Sequence, residues 1–491
     1  MKKYLLILSV LLSNAMTYAQ DVTSEVLSLK QAIQKGLENN YDIRIEESKV
    51  EDAVQQNSWG QAGRFPTIDF RSTFNNSQQY NKPASPFALP GTNMSDVLSG
   101  SVNANWVLFN GFKVNLTKEQ LEKLEAQTEM QAAITLESTV EQIILAYYNV
   151  QLQQENLKVF KTILGLSKDR VEFARLQREM GSGSSFEVSQ EETNFYNDSS
   201  NFVNQELVMA NAFRDLNELM AEENLDKVYN LTDELSITPE SFIFDDLLEK
   251  MKASNSTLLR QNRSLELSEI NIRMQQVNRQ PRLALDVGYN VSTNWFTADF
   301  PQTTPNTGND IGNFLPPNID PNDPINWGAL PVLQEAFTSY QANSTTTELV
   351  RETRNGYSYG PYANLTLNVP IYAGSQRKRA VQSAKLSYQQ QQLMTQKTTL
   401  SLTNQLKKTH EQYNNRIELV DLTEKSLQAA ALNLRLSQEQ YEMGTINSFD
   451  YRQVQNSYLN AAFRALRAKY DLIQSNASLL RMTGSIISDR E

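Results

Sequence analysis

The sequence contains one short motif twice, and each copy ends in an acidic residue. These two acids are the ionisable groups that recur most regularly in the chain. In each copy Glu-Met-Gly is followed, after three residues, by Ser-Phe and an acid. The acids are Glu187 and Asp450, which are 263 residues apart. A carboxylate shortly after a chain reversal lies in the first turn of the next helix, where it caps amide groups and complements the helix dipole. Several copies of such an acid around a pore would also attract cations, so capping and gating both stay open at this point.

The rest of the chain lacks the usual residues of an enzyme. The 491 residues include no cysteine and one histidine, His410. This composition excludes disulfides, thiolate metal sites and cysteine nucleophiles, and it argues against multi-histidine metal sites and serine–histidine catalysis. No set of nucleophile, base and metal ligands converges elsewhere. We therefore expect no enzyme activity, no cofactor and no metal, and His410 is expected to pack or to be solvated.

The charge and the first residues indicate an exported, acidic protein. The formal charge is −11 and no block of lysines or arginines occurs, which argues against a nucleic-acid partner. Residues 1–19 have the features of a signal peptide: two lysines, an apolar run, and the small residues Thr17 and Ala19 before a cleavage site. No later stretch reaches the ~18 apolar residues that a transmembrane helix needs.

The chain is internally duplicated. Leu108-Phe109-Asn110-Gly111 corresponds to Ile371-Tyr372-Ala373-Gly374 at the same offset of 263 residues as the acidic motif. An earlier pair of prolines, Pro66 and Pro281, is only 215 residues apart, so the second copy contains an insertion of 48 residues. The insertion falls in the proline-rich segment from Trp295 to Gly356, which predicts a long irregular loop.

Two long helices are predicted between glycines, from Gly111 to Gly181 and from Gly374 to Gly444. Both intervals lack an interior proline and are rich in helix-forming residues. At 1.5 Å per residue each helix would be roughly 105 Å long. Both contain an apolar residue at every seventh position, as coiled coils do, with one six-residue step from Leu400 to Leu406 in the second helix. The stripe comprises Ile143, Val150, Leu157, Leu164 and Val171 in the first helix, and Leu386, Leu393, Leu400, Leu406, Tyr413, Val420, Leu427, Leu434 and Tyr441 in the second.

Four segments alternate with a period of two and are predicted to be strands. Their apolar faces carry no charge, whereas Asp69, Arg71 and Asp286 fall on the opposite faces. A soluble sandwich also alternates. A membrane sheet is favoured because each segment has about the 9 to 11 residues of a tilted membrane strand and because the long helices leave no second layer to cover a sheet. Trp106 and Trp295 lie at opposite strand ends, as interfacial aromatics do.

Four strands cannot close a barrel, and an open sheet edge is not tolerated in lipid. Several chains must therefore complete one barrel. Two chains would give eight strands and an interior filled by side chains, whereas three would give twelve and leave room for a pore.

These residues together resemble the TolC-type outer-membrane efflux proteins, or channel-tunnels, over nearly all of the mature chain. The resemblance rests on the duplicated strand pair, on Leu27-Ser28-Leu29-Lys30-Gln31-Ala32-Ile33 with Glu38-Asn39-Asn40, and on the two motifs around Gly181 and Gly444. It implies a fold that is mainly α with transmembrane β, built from a duplicated β-β-α-α repeat. Long coiled-coil helices would form a periplasmic α-barrel, and a homotrimer would form a 12-stranded outer-membrane β-barrel.

The resemblance also implies partners and site residues. The partners are a periplasmic membrane-fusion adaptor, an inner-membrane transporter of RND, ABC or MFS type, and outer-membrane lipid. Gly181 and Gly444 match tip turns that contact the adaptor, and Glu187, Tyr441 and Asp450 match a tip gate. Two positions depart from the family pattern. They are Ile446, where some members have an arginine that locks the closed tip, and Gln453, where they have a second pore-facing acid.

The expected organisation follows from the repeats and the resemblance. It comprises a signal peptide (1–19), a first repeat (20–222; strands about 67–75 and 97–109, helices about 112–180 and 186–220), an equatorial inter-repeat segment (223–244), a second repeat (245–484; strands about 282–292 and 359–371, an external loop about 295–356, helices about 375–443 and 449–482) and a C-terminal tail (485–491). The expected function is the passive exit duct of a tripartite efflux or type I secretion system in the outer membrane of a Gram-negative bacterium, with a large periplasmic part. The alternatives are a periplasmic structural coiled-coil protein without membrane insertion and, third, a secreted enzyme.

Overall fold

The structure is a computed structural model that describes residues 25–82, 91–305 and 345–487. The predicted signal peptide (1–19) and the middle of the predicted external loop lie outside the described residues. Within them the chain forms two compact units. The helical unit is drawn from residues 25–62, 115–276 and 375–487, and the sheet unit from 63–114 and 277–374.

Eight helices are described. They are α1 (Leu29–Asn39), α2 (Tyr41–Gln56), α3 (Lys113–Glu179), α4 (Ser185–Leu219), α5 (Phe244–Ser254), α6 (Ser256–Val277), α7 (Gln376–Glu442) and α8 (Ser448–Met482). Each long helix, α3 and α7, has 67 residues and is followed by a 35-residue partner, α4 or α8. The start of α1 is fixed by a capping box, in which Ser28 accepts from the amide of Gln31 and Gln31 accepts from the amide of Ser28.

The main core of the helical unit lies where α1, α3, α4 and α8 meet. Tyr147 on α3 is fully buried there, and its hydroxyl donates to the Asp233 carboxylate at 2.7 Å. The same carboxylate accepts from the amide of Leu29 at 2.9 Å, so the first helix begins on a residue of the inter-repeat segment. Two short strands, β1 (Val26–Leu27) and β4 (Asn230–Leu231), pair in parallel beside this core. The inter-repeat segment is thereby joined to the start of the chain.

The heptad stripe of α7 is buried in one half and exposed in the other. Leu406, Tyr413, Leu434 and Tyr441 are buried against α5, α8 or the end of α3. By contrast, Leu386, Leu393 and Leu400 are 54 to 72 % exposed. Apolar side chains repeated at this spacing need a partner surface, and within the described residues of one chain these three have none.

The sheet unit contains four antiparallel strands. They are β2 (Thr67–Asn81), β3 (Gly91–Phe109), β5 (Arg282–Pro305) and β6 (Thr345–Asn368), in the spatial order β2-β3-β5-β6. The strands are longer than the predicted segments at 67–75, 97–109, 282–292 and 359–371, except that β6 ends at Asn368. The extensions were missed because they are rich in Asn, Gln and Thr and do not alternate in polarity.

The prediction of an irregular loop from Trp295 to Gly356 is wrong at both ends. Strand β5 continues to Pro305 and β6 begins at Thr345, so within this segment only residues 306–344 lie outside the described residues. The prolines of this segment predict irregular structure because they cannot donate to a strand ladder, but pairing of β5 with β3 ends at Thr297. Beyond it β5 pairs with β6 alone, and a proline is tolerated where one edge of a strand needs no amide donor.

Candidate functional sites: the sheet face and the helical tips

The pairing register places the uncharged strand faces on one side of the sheet. Phe70 lies opposite Val102, Val102 opposite Tyr289, and Tyr289 opposite Pro361. This apolar face contains large exposed side chains on every strand. They are Ile68, Phe70 and Phe74 on β2, Leu98, Val102, Trp106 and Leu108 on β3, Val287, Tyr289 and Val291 on β5, and Tyr357, Tyr359, Leu365 and Leu367 on β6. An exposed apolar patch this large marks a surface that another apolar phase covers.

The opposite face of the sheet is polar and hydrogen-bonded across strands. Asn105 donates to the Asp286 carboxylate at 3.3 Å, and the Tyr362 hydroxyl donates to Asn103 at 2.6 Å. Gly288 allows this packing because a Cβ there would lie 2.6 Å from the Val102 carbonyl oxygen and 2.7 Å from the Tyr362 hydroxyl. The sheet is thus two-sided, with one face suited to lipid and the other to water.

The distance between Trp106 and Trp295 measures the height of the apolar face. Trp106 pairs with Leu285, and Trp295 lies ten residues further along β5 on the same face. Ten residues of strand span roughly 33 Å, and the tilt of about 40° usual in membrane barrels reduces this to roughly 25 Å, the height of their apolar band. The tryptophans therefore have the spacing of two interfacial rings. No helix in the described ranges combines the length and apolar character required to cross a membrane.

The helical unit ends in two reversals with the same backbone geometry. Gly181 and Gly444 have φ values of +77° and +74°, and each amide donates to a carbonyl three residues earlier at 3.1 and 3.0 Å. The following residue reaches back five positions, from Ser182 to Gln177 and from Thr445 to Gln440, both at 2.9 Å. This is a helix stop that favours glycine because other residues are strained at positive φ. An added Cβ would meet nothing within 4 Å at either glycine, so the requirement is conformational.

The two predicted acids lie in the first turn after each reversal. Ser184 begins α4 and accepts from the amide of Glu187 at 3.1 Å, and Asn447 begins α8 and accepts from the amide of Asp450 at 2.9 Å. The cap acceptor at each tip is therefore the residue three positions before the acid. Asp450 is exposed and Glu187 is half-buried.

Tyr441 does not lie on the surface of the tip but in its core, which we call the tip cluster (Leu434, Tyr441, Tyr451 and the partly buried Phe173 and Ile446). Tyr441 stacks on Tyr451 with ring centroids 5.0 Å apart and packs against Phe173 at 5.3 Å. Its hydroxyl is buried and has no hydrogen-bond partner in the described part of the chain. Burial, with the negative charges of Glu191 and Glu187, raises the pKa of Tyr441 to about 12. The charges of Glu191 and Glu187 thus act on a Tyr441 hydroxyl for which the described residues supply no hydrogen-bond partner.

The tip also contains a buried ionic chain that the sequence did not predict. We call it the tip network: Arg170, Glu191, Ser167, Asp198 and Arg452. Nε of Arg170 lies 3.3 Å from the Glu191 carboxylate, and both side chains are at most 2 % exposed. Arg170 also donates to Ser167, which in turn donates to Asp198. Both terminal nitrogens of Arg452 donate to the two Asp198 oxygens, at 2.5 and 2.7 Å.

The tip network connects the two repeats. Arg170 and Ser167 belong to α3, Glu191 and Asp198 to α4, and Arg452 to α8. Burial lowers the pKa of the Arg170 guanidinium, and the facing Glu191 opposes that shift. Paired, buried charges of this kind are costly to separate. Sequence reasoning missed them because Asp198 and Arg452 are 254 positions apart and charges on helices are usually solvated.

The comparisons with known proteins agree with this geometry. The model of the outer membrane efflux protein family matches residues 32–222 and 332–485. The outer membrane protein TolC of Vibrio cholerae is 24 % identical over 200 residues, which are 41 % of this chain and 45 % of that protein. The matched part thus spans a little under half the length of this curated relative.

Solved structures extend the likeness to the whole fold. The channel CusC has a TM-score of 0.66 at 15 % identity, with 95 % of both chains covered. The CmeC outer membrane channel of Campylobacter jejuni has a TM-score of 0.65 at 14 % identity, covering 96 % of this chain and 90 % of that one. The open state of the MtrE outer membrane channel of Neisseria gonorrhoeae has a TM-score of 0.60 at 15 % identity, covering 94 and 90 %.

A two-sided sheet together with long helical hairpins defines an outer-membrane channel protein with a large periplasmic part. The chain belongs to the outer membrane efflux protein family. The predicted family, the mixed fold of long helices and few strands, and the outer-membrane location are confirmed. The family is one of channels rather than enzymes.

Proposed function

We propose that three copies of the chain form one exit duct through the outer membrane. The main support for this proposal is that the four-stranded sheet has two unpaired edges, at β2 and β6, in the described residues. In the described residues β2 and β6 each have one neighbour, and the order β2-β3-β5-β6 makes them run in opposite directions. Strand β6 of one copy can therefore pair antiparallel with β2 of the next, and repetition around an axis leaves no edge. Three copies supply twelve strands, enough to enclose a pore.

The duct conducts passively between two partners that are inferred from the family: a periplasmic adaptor and an inner-membrane transporter of RND, ABC or MFS type. The tips support the adaptor contact. Met180 and Phe186 at the first reversal, and Met443 and Phe449 at the second, are 69 to 77 % exposed. These side chains occupy equivalent places in the two repeats, beside the proposed docking glycines Gly181 and Gly444. Exposed apolar residues at equivalent positions suit a partner that contacts both tips in the same way.

The gate of the duct is proposed to lie at the tips. Three copies of the exposed Asp450 would form a ring of carboxylates that favours cations. Tyr441 and Glu187 are the other two residues of the proposed gate. The Tyr441 hydroxyl is buried without a hydrogen-bond partner in the described residues, and the charge of the half-buried Glu187 acts on it. The pair of Asp198 and Arg452 holds α8 of the second repeat against α4 of the first. Opening by separation of the repeats would have to break this pair.

Cysteine crosslinking tests the trimer directly, because the natural chain contains no cysteine. Thr73→Cys on β2 would be combined in turn with Ser358→Cys, Gly360→Cys or Thr366→Cys on β6, all on the polar face. At least one pair should give a ladder ending at three chains under oxidising conditions. Ser99→Cys with Ser292→Cys is the matched control, since these residues face each other within one chain and should give only monomer. A soluble periplasmic monomer with no interchain product would contradict the proposal.

A further inference from the structure

The end of the sheet from which the chain runs into the helices has an unusual charge. Register places the start of β2, the end of β3, the start of β5 and the end of β6 together at this end. Four stretches of the sheet unit meet there, and they contain four basic residues and no acid. The stretches are 63–66, 106–114, 277–285 and 365–374, which end at one level of the sheet, and the first acid beyond that level is Asp286. We call the basic residues Arg64, Lys113, Arg279 and Arg282 the basic rim.

The opposite end of the sheet carries acids as well as arginines, so the all-basic charge is confined to the rim. Around Trp295 the described strands carry Asp96, Asp299 and Glu352 together with Arg351 and Arg354. Both arginines form ion pairs there, Arg351 with Asp299 at 3.8 Å and Arg354 with Glu352 at 3.7 Å. The overall charge of −11 also makes an all-basic rim the reverse of the chain's average.

Exposed aromatic and aliphatic side chains are interleaved with the rim. Phe65, Phe112, Ile371 and Tyr372 are 61 to 94 % exposed. Phe112 has a φ of +68°, a conformation in which a non-glycine residue is strained, and its ring contacts Phe109 edge-on at 5.7 Å. Backbone strain that presents a large ring to the outside is typical of functional positions.

Trp106 ties the rim to the apolar face. Its indole nitrogen donates to the carbonyl oxygen of Arg64 at 2.9 Å, so the lower of the two interfacial tryptophans lies beside a rim arginine. Aromatic rings at headgroup level with arginines just beyond them match the order of chemistry across a leaflet, from acyl chain to phosphate.

From this arrangement we infer that the basic rim binds the phosphate groups of anionic phospholipids in the periplasmic leaflet. The inference rests on the proposed insertion of the sheet in the bilayer, and it adds a lipid preference that insertion alone does not require. Basic residues beside a membrane segment attract anionic lipid by roughly fivefold for each charge close to the surface. Zwitterionic lipid offers the same apolar match without that attraction.

Quenching of tryptophan fluorescence by brominated lipid tests the inference on the full chain in vesicles. Trp59→Phe, Trp295→Phe and Trp327→Phe leave Trp106 as the single reporter at the rim, and a matching variant keeps Trp295 alone. Brominated phosphatidylglycerol should displace phosphatidylcholine at Trp106 with a relative affinity of about five or more. The preference should fall as salt rises, and Trp295 should show no preference.

The variant Arg279→Gln/Arg282→Gln removes two of the four rim charges and should lower the relative affinity at Trp106 at least fivefold. Arg44→Gln/Arg435→Gln, which neutralises two exposed arginines of the helical unit, should leave it unchanged. Equal quenching of Trp106 by both lipids in the unaltered rim would overturn the lipid inference and leave the membrane proposal standing. Absence of quenching by either lipid at both tryptophans would instead overturn the insertion of the sheet.

Discussion

The two helical tips share one backbone and differ in the chemistry packed behind it. The positive φ glycine, the five-residue return hydrogen bond and the cap three residues before an acid recur in both. The charged residues do not recur. Arg170, Glu191 and Asp198 of the first repeat correspond to Asn433, Val454 and Ala461 of the second.

The second tip contributes aromatic rings where the first does not. Tyr441 and Tyr451 correspond to Arg178 and Val188 of the first repeat. The difference teaches that the two repeats share the geometry of the turn and contribute different residues to one interior. The first repeat supplies Phe173 and most of the buried charges, and the second supplies Tyr441, Tyr451 and Arg452.

The largest expected effect comes from the charges that only the first tip contains. Glu191→Gln leaves the buried Arg170 without its carboxylate, and breaking a buried ion pair from one side costs about 3 to 5 kcal/mol. Thermal unfolding followed by circular dichroism, with limited proteolysis at the tips, would measure the loss.

The neighbouring Glu192→Gln is the control. Its pair with Arg175 is exposed on both sides, and such a pair contributes little to the unfolding free energy. Similar losses for the two variants would mean that burial of Glu191 has no energetic weight.

The next largest effect is expected from substituting the positive-φ glycines that both tips share. Gly181→Ala and Gly444→Ala each force a side chain into the left-handed region, which costs about 1 to 2 kcal/mol, and the two losses should be equal because the φ values are alike. Gly165→Ala lies inside α3 with free space around the new Cβ and should stabilise by about 0.5 to 1 kcal/mol. A loss at only one tip would show that the reversals are not equivalent.

A smaller effect is expected at the caps. Ser184→Ala and Asn447→Ala each remove the acceptor for an amide of the first turn, and we expect a loss of about 1 kcal/mol for each. Ser185→Ala changes an exposed helical serine next to the first cap and should change the melting temperature little. If Ser185→Ala and Ser184→Ala behave alike, the cap bond is not what holds the start of α4.

The smallest change in stability is expected for Asp450→Asn. The mutant keeps the helix start because the cap acceptor is Asn447, so the unfolding free energy should move by less than about 0.5 kcal/mol. Planar-bilayer recordings should nevertheless show weaker cation preference, because three charges leave the proposed ring. Glu187→Gln, which neutralises the equivalent acid at the other tip, would be measured in the same way for comparison. Altered stability with unchanged selectivity would make Asp450 a structural residue only.

Much of the fold follows from local patterns. Gly181 and Gly444, the caps three residues before the acids, and the alternation around Phe70 or Tyr289 are each encoded within a few residues, so the sequence alone indicates them. The ends of β5 and β6 were missed because their pairing is decided by the partner strand and not by polarity alternation. The tip network could not be predicted since it depends on which helices pack together, as the pairing of Asp198 with Arg452 shows.

The exposed row of Leu386, Leu393 and Leu400 on α7 would couple folding to assembly in the proposed trimer. If the proposed trimer covers these leucines, a lone copy would leave them in water, and its apparent stability would rise with protein concentration. In the proposed trimer each substitution is also made three times around the axis. A polar residue at Leu393 would therefore weaken three contacts at once, and newly exported chains would accumulate as unassembled subunits that chaperones and proteases can reach.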